Sequence, residues 1–200
     1  MKKVGIFTRI DKLNNKEILY IPLNIYKKFF KRVNVILIPF SLDTKFNDIM
    51  PLVDMCDGIV LPGGDDIYPL ELEVVKYLYE IDKPLLGICL GMQTMGVSMN
   101  GCLGHLPDLS HKSNKKYVHE IKISRDSLLY KIINKRSILV NSRHKDYIIN
   151  TSLFAGATYN NIIEEVEDKS KRCFFGVQWH PEDLEDVNSE KIFDFFINSL

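Results

Sequence analysis

The chain has 200 residues, of which 46% are hydrophobic and 26% are charged, as is usual for a globular domain with one substantial core. Basic and acidic residues both number 26, so the net charge is zero and the basic field that nucleic-acid binding usually needs is not present. No apolar run approaches the roughly 20 residues of a membrane span, and the N-terminus predicts a strand rather than a signal peptide. We therefore expect one cytoplasmic domain over residues 1–200, with no nucleic-acid or membrane partner.

Short apolar runs alternate with longer amphipathic segments in the first half of the chain. The apolar runs predict strands at residues 4–7, 33–40, 57–64 and 83–89. The amphipathic segments predict helices within residues 18–32, where a loop comes first, and at 47–55, 70–80 and 90–100. This order predicts a mainly parallel sheet with helices on both faces, an open α/β fold. Ligands bind at the carboxyl ends of the strands in such sheets.

The second half of the chain is richer in strand-like segments separated by turns. These segments lie at residues 116–124, 136–140, 153–159, 162–168 and 173–180. We expect several of them to add antiparallel strands to the main sheet. Residues 189–200 predict a closing amphipathic helix.

Cys89 lies between two glycines in PLLGICLGMQTMG, where a predicted strand meets a predicted helix. A helix N-terminus favours the thiolate form of a cysteine, and the N–H of the next residue, Leu90, points at an oxygen on which charge develops. Gly87 and Gly91 leave room for a strained turn and close helix–strand packing. The pattern therefore predicts a nucleophile elbow. A buried cysteine at a helix cap is the alternative.

Two further motifs complete a candidate site. In LPGGDD, the backbone of Gly63 and Gly64 could supply the second part of an oxyanion hole, although a Pro-Gly-Gly turn alone is common. In GVQWHPED, His180 can accept the thiol proton, and the Glu182 carboxylate can hold the imidazole in the useful tautomer. An isolated His-Pro-Glu is more often a surface turn, so the combination carries the prediction.

Together these motifs resemble the class I glutamine amidotransferase signature, G-x-C-x-G-x-Q with a later H-P-E. The likeness extends from VGIFTR through PEDLE and is greatest to the gamma-glutamyl hydrolase-like branch. It implies a flavodoxin-like three-layer α/β sandwich with a nucleophile elbow. It also implies hydrolysis of a small-molecule gamma-glutamyl amide through a thioester, with release of glutamate and without a cofactor. A homodimer is compatible with this assignment.

The resemblance also implies roles for individual residues. Cys89 would be the nucleophile, His180 the general base and then acid, and Glu182 the residue that orients His180. The oxyanion donors would be Gly64 and Leu90. Around the glutamyl group, the matching positions are Gly63, which shapes the turn, Gln93, and the segment VNSRHKDYI with Asn141, Ser142, Arg143 and His144. A polar turn after a strand is the alternative for that segment.

The remaining histidines and cysteines carry no predicted chemistry. His105, His111 and His119 lack metal-like spacing and carboxylate partners in the sequence, which indicates loop or surface positions and no metal site. Cys56, Cys102 and Cys173 form no C-x-x-C pair and are expected to be packing residues.

The chain departs from many hydrolase relatives after the Pro-Gly-Gly turn, where it passes almost at once into a helix. This shorter lip would admit a larger leaving group. The most specific resemblance is to the gamma-glutamyl-CDP-amidate hydrolases of bacterial capsule synthesis, which release cytidine diphosphoramidate. Arg9, Arg143 and Lys145 are then candidates for a partly cationic mouth. The alternatives are a glutaminase subunit that delivers ammonia to a synthetase partner, and a non-catalytic module, which the intact Cys89, His180 and Glu182 disfavour.

Overall fold

A computed structural model describes residues 1–107 and 111–200. In this part of the chain nine strands form one mixed sheet in the order β4-β1-β5-β6-β13-β12-β11-β8-β9. The first five strands of that order are parallel: Asn34–Ile38 (β4), Lys3–Phe7 (β1), Gly58–Leu61 (β5), Leu85–Ile88 (β6) and Phe174–Val177 (β13).

The other four strands of the sheet are antiparallel additions, as the sequence predicts. They are Ile162–Glu167 (β12), Phe154–Tyr159 (β11), His119–Ile123 (β8) and Ser137–Val140 (β9). The last predicted strand is different, because β13 joins the parallel part by pairing with β6 and pairs antiparallel only with β12. The H-P-E motif that follows β13 therefore lies beside the end of β6, which Cys89 follows directly.

Helices cover both faces of this sheet. Leu23–Phe29 (α1), Leu128–Ile133 (α5) and Val187–Asn198 (α6) pack on one face, where Phe29, Phe193 and Phe196 are buried. The opposite face is covered by Phe46–Asp54 (α2), Pro69–Glu80 (α3) and Leu90–Ser98 (α4). Side chains alternate between the two cores along a strand: Val60 packs into the first, Ile59 and Leu61 into the second. The three-layer α/β fold predicted from the sequence is confirmed.

Two small hairpin-like sheets and one helix were not predicted. Arg9–Leu13 (β2) and Lys16–Tyr20 (β3) form a hairpin whose turn residues Asn14 and Asn15 both have positive φ. Cys102–His105 (β7) pairs with Asp146–Asn150 (β10), and α5 lies between β8 and β9. The predicted loop before the first helix is thus partly strand β3. Among the described residues no helix is long and apolar enough to cross a membrane.

The register of the parallel strands gathers the three motifs at one edge. Leu61 on β5 is level with Gly87 on β6, and Ile88 on β6 is level with Val177 on β13. At the carboxyl ends of these three neighbouring strands, β5 is followed by the glycine turn, β6 by Cys89 and β13 by the His180 segment. This is the edge at which α/β sheets bind their ligands.

Candidate active site

Cys89 occupies a strained backbone position between β6 and α4. Its φ is 52° and its ψ is −103°, a conformation that costs a residue with a side chain about 1–3 kcal/mol. The Cys89 N–H donates to the Val177 carbonyl at 2.8 Å, which ties the turn to β13. The side chain is buried, with the residue 6% exposed. Leu90 is the first helical residue, so its N–H has no partner within the helix.

Close packing of backbone explains why glycines flank the cysteine. A Cβ on Gly91 would lie 2.0 Å from the carbonyl oxygen of Leu61, so α4 could not approach β5 with any larger residue there. A Cβ on Gly87 would lie 2.7 Å from the backbone of Gly91. These two contacts hold the N-terminus of α4 against the ends of β5 and β6 and so set the elbow.

His180 and Glu182 form a hydrogen-bonded pair just beyond β13. His180 Nδ1 and Glu182 Oε1 are 2.8 Å apart, and the Glu182 residue is 4% exposed. A short 3-10 helix, Pro181–Asp183, turns the carboxylate back toward the ring. The Asn141 side chain clamps the His180 backbone from both sides, since its amide donates to the His180 carbonyl and its oxygen accepts from the His180 N–H, both at 2.8 Å.

The electrostatic environment favours the protonated form of His180. Burial alone would lower the pKa of its imidazole, but the Cys89 sulfur and the Glu182 carboxylate beside it raise this pKa well above its usual value. The side chains of Cys89, His180 and Glu182 therefore lie close together. The arrangement can deliver a nucleophile and a proton to the same carbonyl compound.

Arg9 orients the glycine turn. Its Nε donates to the Gly63 carbonyl at 3.1 Å, and a second nitrogen donates to the Pro62 carbonyl at 2.5 Å. In a trans peptide the N–H points away from the C=O, and the described residues contain no cis peptide. The N–H groups of Gly63 and Gly64 are therefore directed away from Arg9. Glu71 on α3 neutralises the guanidinium at 2.6 Å.

The absence of a side chain at Gly63 makes room for the imidazole. A Cβ on Gly63 would lie only 2.7 Å from His180 Cε1. At Gly64 a Cβ would approach the side chains of Arg9 and Leu90 at 2.9 Å and 3.0 Å. The turn is thus packed between the histidine, the elbow helix and Arg9, at the place where an oxyanion hole would be needed.

Two buried glutamines connect the elbow to the neighbouring strands. Gln93 Nε2 donates to the Asp146 carbonyl at 2.7 Å and approaches Gln178 Oε1 at 3.2 Å. Gln178 Nε2 in turn lies 3.6 Å from Cys89 Sγ. The sequence predicts Gln93 beside the glutamyl group. In the structure, the side chain of Gln178 connects that of Gln93 to the Cys89 sulfur. Gln178 is an additional neighbour of the Cys89 sulfur that the sequence interpretation did not single out.

The segment after β9 lies against the same edge, but most of its side chains are buried. Asn141, Ser142 and His144 are 1%, 0% and 5% exposed. Ser142 Oγ donates to the His111 carbonyl at 2.8 Å, and His144 Nδ1 is 3.0 Å from the Asp146 carbonyl. Arg143 is exposed and forms an ion pair with Asp183, the residue after Glu182.

The structure corrects the sequence interpretation of several polar residues. His111 lies in a turn, as expected, but is buried. His119 is buried on β8 instead of lying in a loop or at the surface, and it has a carboxylate partner, Glu164, at 3.0 Å. His105 is exposed, as expected, but pairs with Asp146 at 2.7 Å. Arg9 lines the cleft beside Gly64, as predicted for the mouth, but its guanidinium is buried and paired with Glu71.

Of the three cysteines predicted to be packing residues, two are buried and one is exposed. Cys56 and Cys173 are buried, as expected for packing residues, and burial raises the pKa of their thiols to about 11 and about 12. Cys102 is exposed on β7, so it does not belong to the core.

With this geometry established, comparison with known proteins gives the family. Residues 22–199 match the family model for class-I glutamine amidotransferases. The chain belongs to this family. A glutamine amidotransferase-like protein of Rickettsia prowazekii is 29% identical, over 76% of this chain and 78% of its own. Protein NtpR of Enterococcus hirae is 32% identical, over 74% and 77%.

Longer and structurally known relatives extend this result. GMP synthase of Francisella philomiragia is 31% identical over 70% of this chain, which corresponds to only 27% of the synthase. A protein of Thermoplasma acidophilum that resembles a GMP synthase subunit superposes with a TM-score of 0.73 at 20% identity, over 100% of this chain and 94% of its own. The glutaminase domain of Trypanosoma brucei CTPS superposes at 0.76 and 14% identity, over 99% and 94%. These two likenesses show a shared fold.

In this amidotransferase chain an open cleft lies beside the Gly64 end of the turn. Its volume is about 320 Å³, and the β2–β3 hairpin forms one of its walls. The carboxylates that line it are those of Asp11, Glu17, Asp65 and Asp66. Among the described residues its lining cations are Lys12 and Arg9, and Arg9 is paired with Glu71. Helix α3 begins at Pro69, so only four residues separate it from Gly64 and the predicted short lip is present.

The neighbours that the sequence did not reveal are distant from the motifs along the chain. Arg9 and Glu71 are 62 residues apart, and no local pattern links them. A signal did exist for His119, because it is in phase with Ile121 and Ile123 on the buried face of β8. Two acidic residues inside the apolar run of β12, Glu164 and Glu165, were a comparable signal.

Proposed function

We propose that this amidotransferase-family chain hydrolyses a gamma-glutamyl amide through a thioester on Cys89. The observation that supports the proposal most is the strained Cys89 turn, with the His180–Glu182 pair and the Gly63–Gly64 turn gathered around it. Backbone strain and a raised histidine pKa at the same place are characteristic of catalytic sites.

In the first half of the reaction the Cys89 thiolate attacks the gamma-carbonyl carbon of the substrate. The carbonyl π pair moves to the oxygen, which the N–H groups of Gly64 and Leu90 stabilise. The tetrahedral intermediate then collapses and the C–N bond breaks. His180, protonated at the start, gives its proton to the departing nitrogen, so that an amine or ammonia leaves and the gamma-glutamyl thioester remains.

In the second half a water molecule replaces the amine. His180, now neutral, accepts a proton from the water as its oxygen attacks the thioester carbonyl. The C–S bond breaks, glutamate leaves, and the imidazolium–thiolate pair is restored. Glu182 holds the ring through Nδ1 in both halves, and Asn141 fixes the backbone that carries it.

The glutamyl end of the substrate has several candidate partners. Gln93, Ser142, Arg143 and His144 are proposed to shape its site, as the family resemblance implies. The hydrogen bonds of Gln93 and Ser142 within the protein support an indirect role for both, because each holds backbone rather than presenting a free group. Arg143 is the exposed cation of this set and stands at the rim beside Asp183.

The charges around the cleft disfavour the leaving group that the most specific sequence resemblance predicts, cytidine diphosphoramidate. Gamma-glutamyl-CDP-amidate would place a diphosphate near the mouth. The short lip supports a large leaving group, but the cleft beside Gly64 is mainly acidic and the charge of Arg9 is balanced by Glu71. A neutral or cationic amine is therefore favoured on this side of the site.

A glutaminase subunit that passes ammonia to a synthetase is the second candidate. It is favoured by the Francisella GMP synthase, of which this chain matches about a quarter, and by the two structural neighbours. A subunit of this kind would use the same thioester chemistry. It would differ in needing a partner for full activity and in accepting glutamine itself.

The experiment is glutamate release by the purified chain from a panel of substrates. The panel contains glutamine, gamma-glutamyl conjugates of neutral and cationic amines, and gamma-glutamyl-CDP-amidate, each assayed with wild type and Cys89→Ala. We expect Cys89-dependent release from an amine conjugate or glutamine, faster than from the CDP-amidate. Fast release from the CDP-amidate would restore the nucleotide assignment. No release from any member, with or without a candidate synthetase, would overturn the proposal.

A further inference from the structure

A second cluster of chemically active side chains lies behind the candidate active site. The rings of His111, His119 and His144 pack together, with centroids 4.8 Å apart for His111 and His119 and 4.9 Å apart for His111 and His144. All three residues are at most 6% exposed. Tyr159 stacks on His119 with centroids 4.1 Å apart. We refer to His111, His119 and His144 as the histidine cluster.

The carboxylate of Glu164 faces this cluster from β12. Its Oε1 lies 3.0 Å from His119 Nε2, and the residue is fully buried. Its second oxygen, Oε2, is buried without a hydrogen-bond partner among the described residues. An unsatisfied carboxylate oxygen in the interior is costly, so a ligand that satisfies it is expected. The thioester chemistry proposed for Cys89 does not involve the Glu164 carboxylate.

Hydrogen bonds within the cluster indicate which ring nitrogens can bind a cation. His144 Nδ1 faces the Asp146 carbonyl, which can only accept, so this nitrogen carries the proton. Neutral His144 then accepts at Nε2, and the group 3.2 Å away is His111 Nδ1, which must be the donor. A neutral His111 with its proton on Nδ1 has the lone pair on Nε2. Metal-binding histidines use their other nitrogen for such an outer hydrogen bond.

From this arrangement we propose that His111, His119 and Glu164 bind one divalent transition-metal ion, with zinc as the matching chemistry. Ligand atoms of the three residues all lie within 4.8 Å of one another. Two imidazoles and one carboxylate are a frequent zinc donor set, in which the fourth position is taken by water. Neighbouring ligand atoms of a tetrahedral zinc are roughly 3.3 Å apart, so binding draws the ligand atoms of His111, His119 and Glu164 together by up to about 1.5 Å.

Proton balance follows from the contacts. The ion takes the place of the proton shared by His119 Nε2 and Glu164 Oε1, and that proton is released to solvent. Ser142 and His144 stay outside the coordination sphere, where their contacts to His111 Nδ1 fix its ring. Zinc requires both imidazole ligands to be neutral and the carboxylate to be charged.

The site would stabilise the wall behind Cys89. Glu164 accepts through its backbone carbonyl from the N–H of Gln178, the residue whose side chain lies next to the sulfur. His144 and Gln93 share the Asp146 carbonyl. An ion bound by His111, His119 and Glu164 therefore connects the 111–119 segment, β8 and β12 to the residues that hold the elbow.

The test is zinc binding by tag-free full-length protein, measured by competition with a chromogenic chelator. We expect one zinc per chain with a dissociation constant below micromolar. Glu164→Gln and His119→Gln should weaken binding at least 100-fold, and Ser142→Ala about tenfold because it acts only through His111. Matched controls are Glu120→Gln, an exposed glutamate on the same strand as His119, and His105→Gln, an exposed histidine on β7. Both controls should bind as wild type does.

A measurement on wild type alone keeps the proposal testable if the buried variants do not fold. The X-ray absorption spectrum at the zinc edge should show nitrogen and oxygen ligands with two imidazoles and no sulfur. A sulfur ligand would place the ion at one of the four free cysteines and overturn the proposal. So would equal binding by wild type and Glu164→Gln, or no binding at 100 µM zinc. None of these readouts depends on glutamate release, so the proposal can fail independently of the proposed function.

Discussion

The guanidinium of Arg9 donates to the carbonyl of Gly63 at 3.1 Å and so fixes which way the next N–H points. This contact links the first residue of β2 to the turn that follows β5. The cation that makes it is buried and neutralised by Glu71. Arg9 is therefore a positioning residue for the proposed oxyanion hole, and its charge is not presented to the substrate.

Replacing Arg9 by methionine should reduce both stability and turnover. Glu71 would be left as a buried carboxylate without its partner, at a cost of about 3–5 kcal/mol in the free energy of unfolding. The turn would also lose the donors that orient Gly63 and Gly64, so kcat should fall more than KM rises. Chemical denaturation and steady-state kinetics measure the two effects.

The double variant Arg9→Met, Glu71→Leu separates the two effects. Removing the stranded carboxylate should restore most of the lost stability, since an apolar pair of similar volume replaces a buried ion pair. The fall in kcat should remain. Recovery of kcat together with stability would show that Arg9 acts only through folding.

Changing Gly63 to alanine should disturb His180 directly. The new methyl group would lie 2.7 Å from His180 Cε1, so the ring or the turn must move. A displacement of this kind costs about 10²-fold in kcat/KM. Gly104→Ala is a matched control, because its Cβ would meet the Tyr147 ring at 2.8 Å on the peripheral strand β7. Equal losses in both variants would contradict the specific role of Gly63.

The pH dependence of turnover should report the Glu182 carboxylate. Glu182 stabilises the imidazolium of His180 and, with Cys89, raises its pKa. Protonated His180 is needed for the leaving nitrogen, so activity is lost as pH rises through this pKa. Glu182→Gln removes one of the stabilising charges and should lower the pKa. The alkaline limb of kcat/KM should therefore move to lower pH, with a fall in the maximum of about 10³-fold. An unchanged or upward-shifted limb would exclude this role.

Cys89 variants should separate strain from chemistry. Cys89→Ala keeps a side chain at a φ of 52°, whereas Cys89→Gly can adopt that φ without strain. Both variants should lose turnover, but the free energy of unfolding of Cys89→Gly should be about 1 kcal/mol larger than that of Cys89→Ala. Denaturant melts of the two proteins measure the difference. A less stable glycine variant would mean that the turn is not strained.

The parts of the site that the sequence predicts are those encoded locally. The elbow needs only the glycines around Cys89, and His180 and Glu182 are two residues apart. Parallel β5, β6 and β13 bring these short motifs together once the fold class is known. The three-layer fold itself follows from the alternation of apolar and amphipathic segments.

Other features depend on contacts between distant segments and could not be predicted in this way. The Arg9–Glu71 pair joins residues 62 positions apart, and the carboxylate of Glu164 meets His119 from a strand 45 residues later. Spacing rules for metal ligands consider neighbours along the chain, so they overlooked the histidine cluster. The β2–β3 hairpin was missed because Asn14 and Asn15 interrupt a mostly polar stretch that lacks clear alternation.

The most direct test of the central proposal is to trap the thioester. Wild-type protein is mixed with a gamma-glutamyl substrate that it hydrolyses, and the reaction is quenched in acid. The glutamyl adduct is then located by peptide mass spectrometry. We predict an adduct on Cys89 that is absent from Cys89→Ala, while the exposed thiol of Cys102 in the same sample stays unmodified. An adduct on Cys102, or glutamate release that persists in Cys89→Ala, would contradict the account.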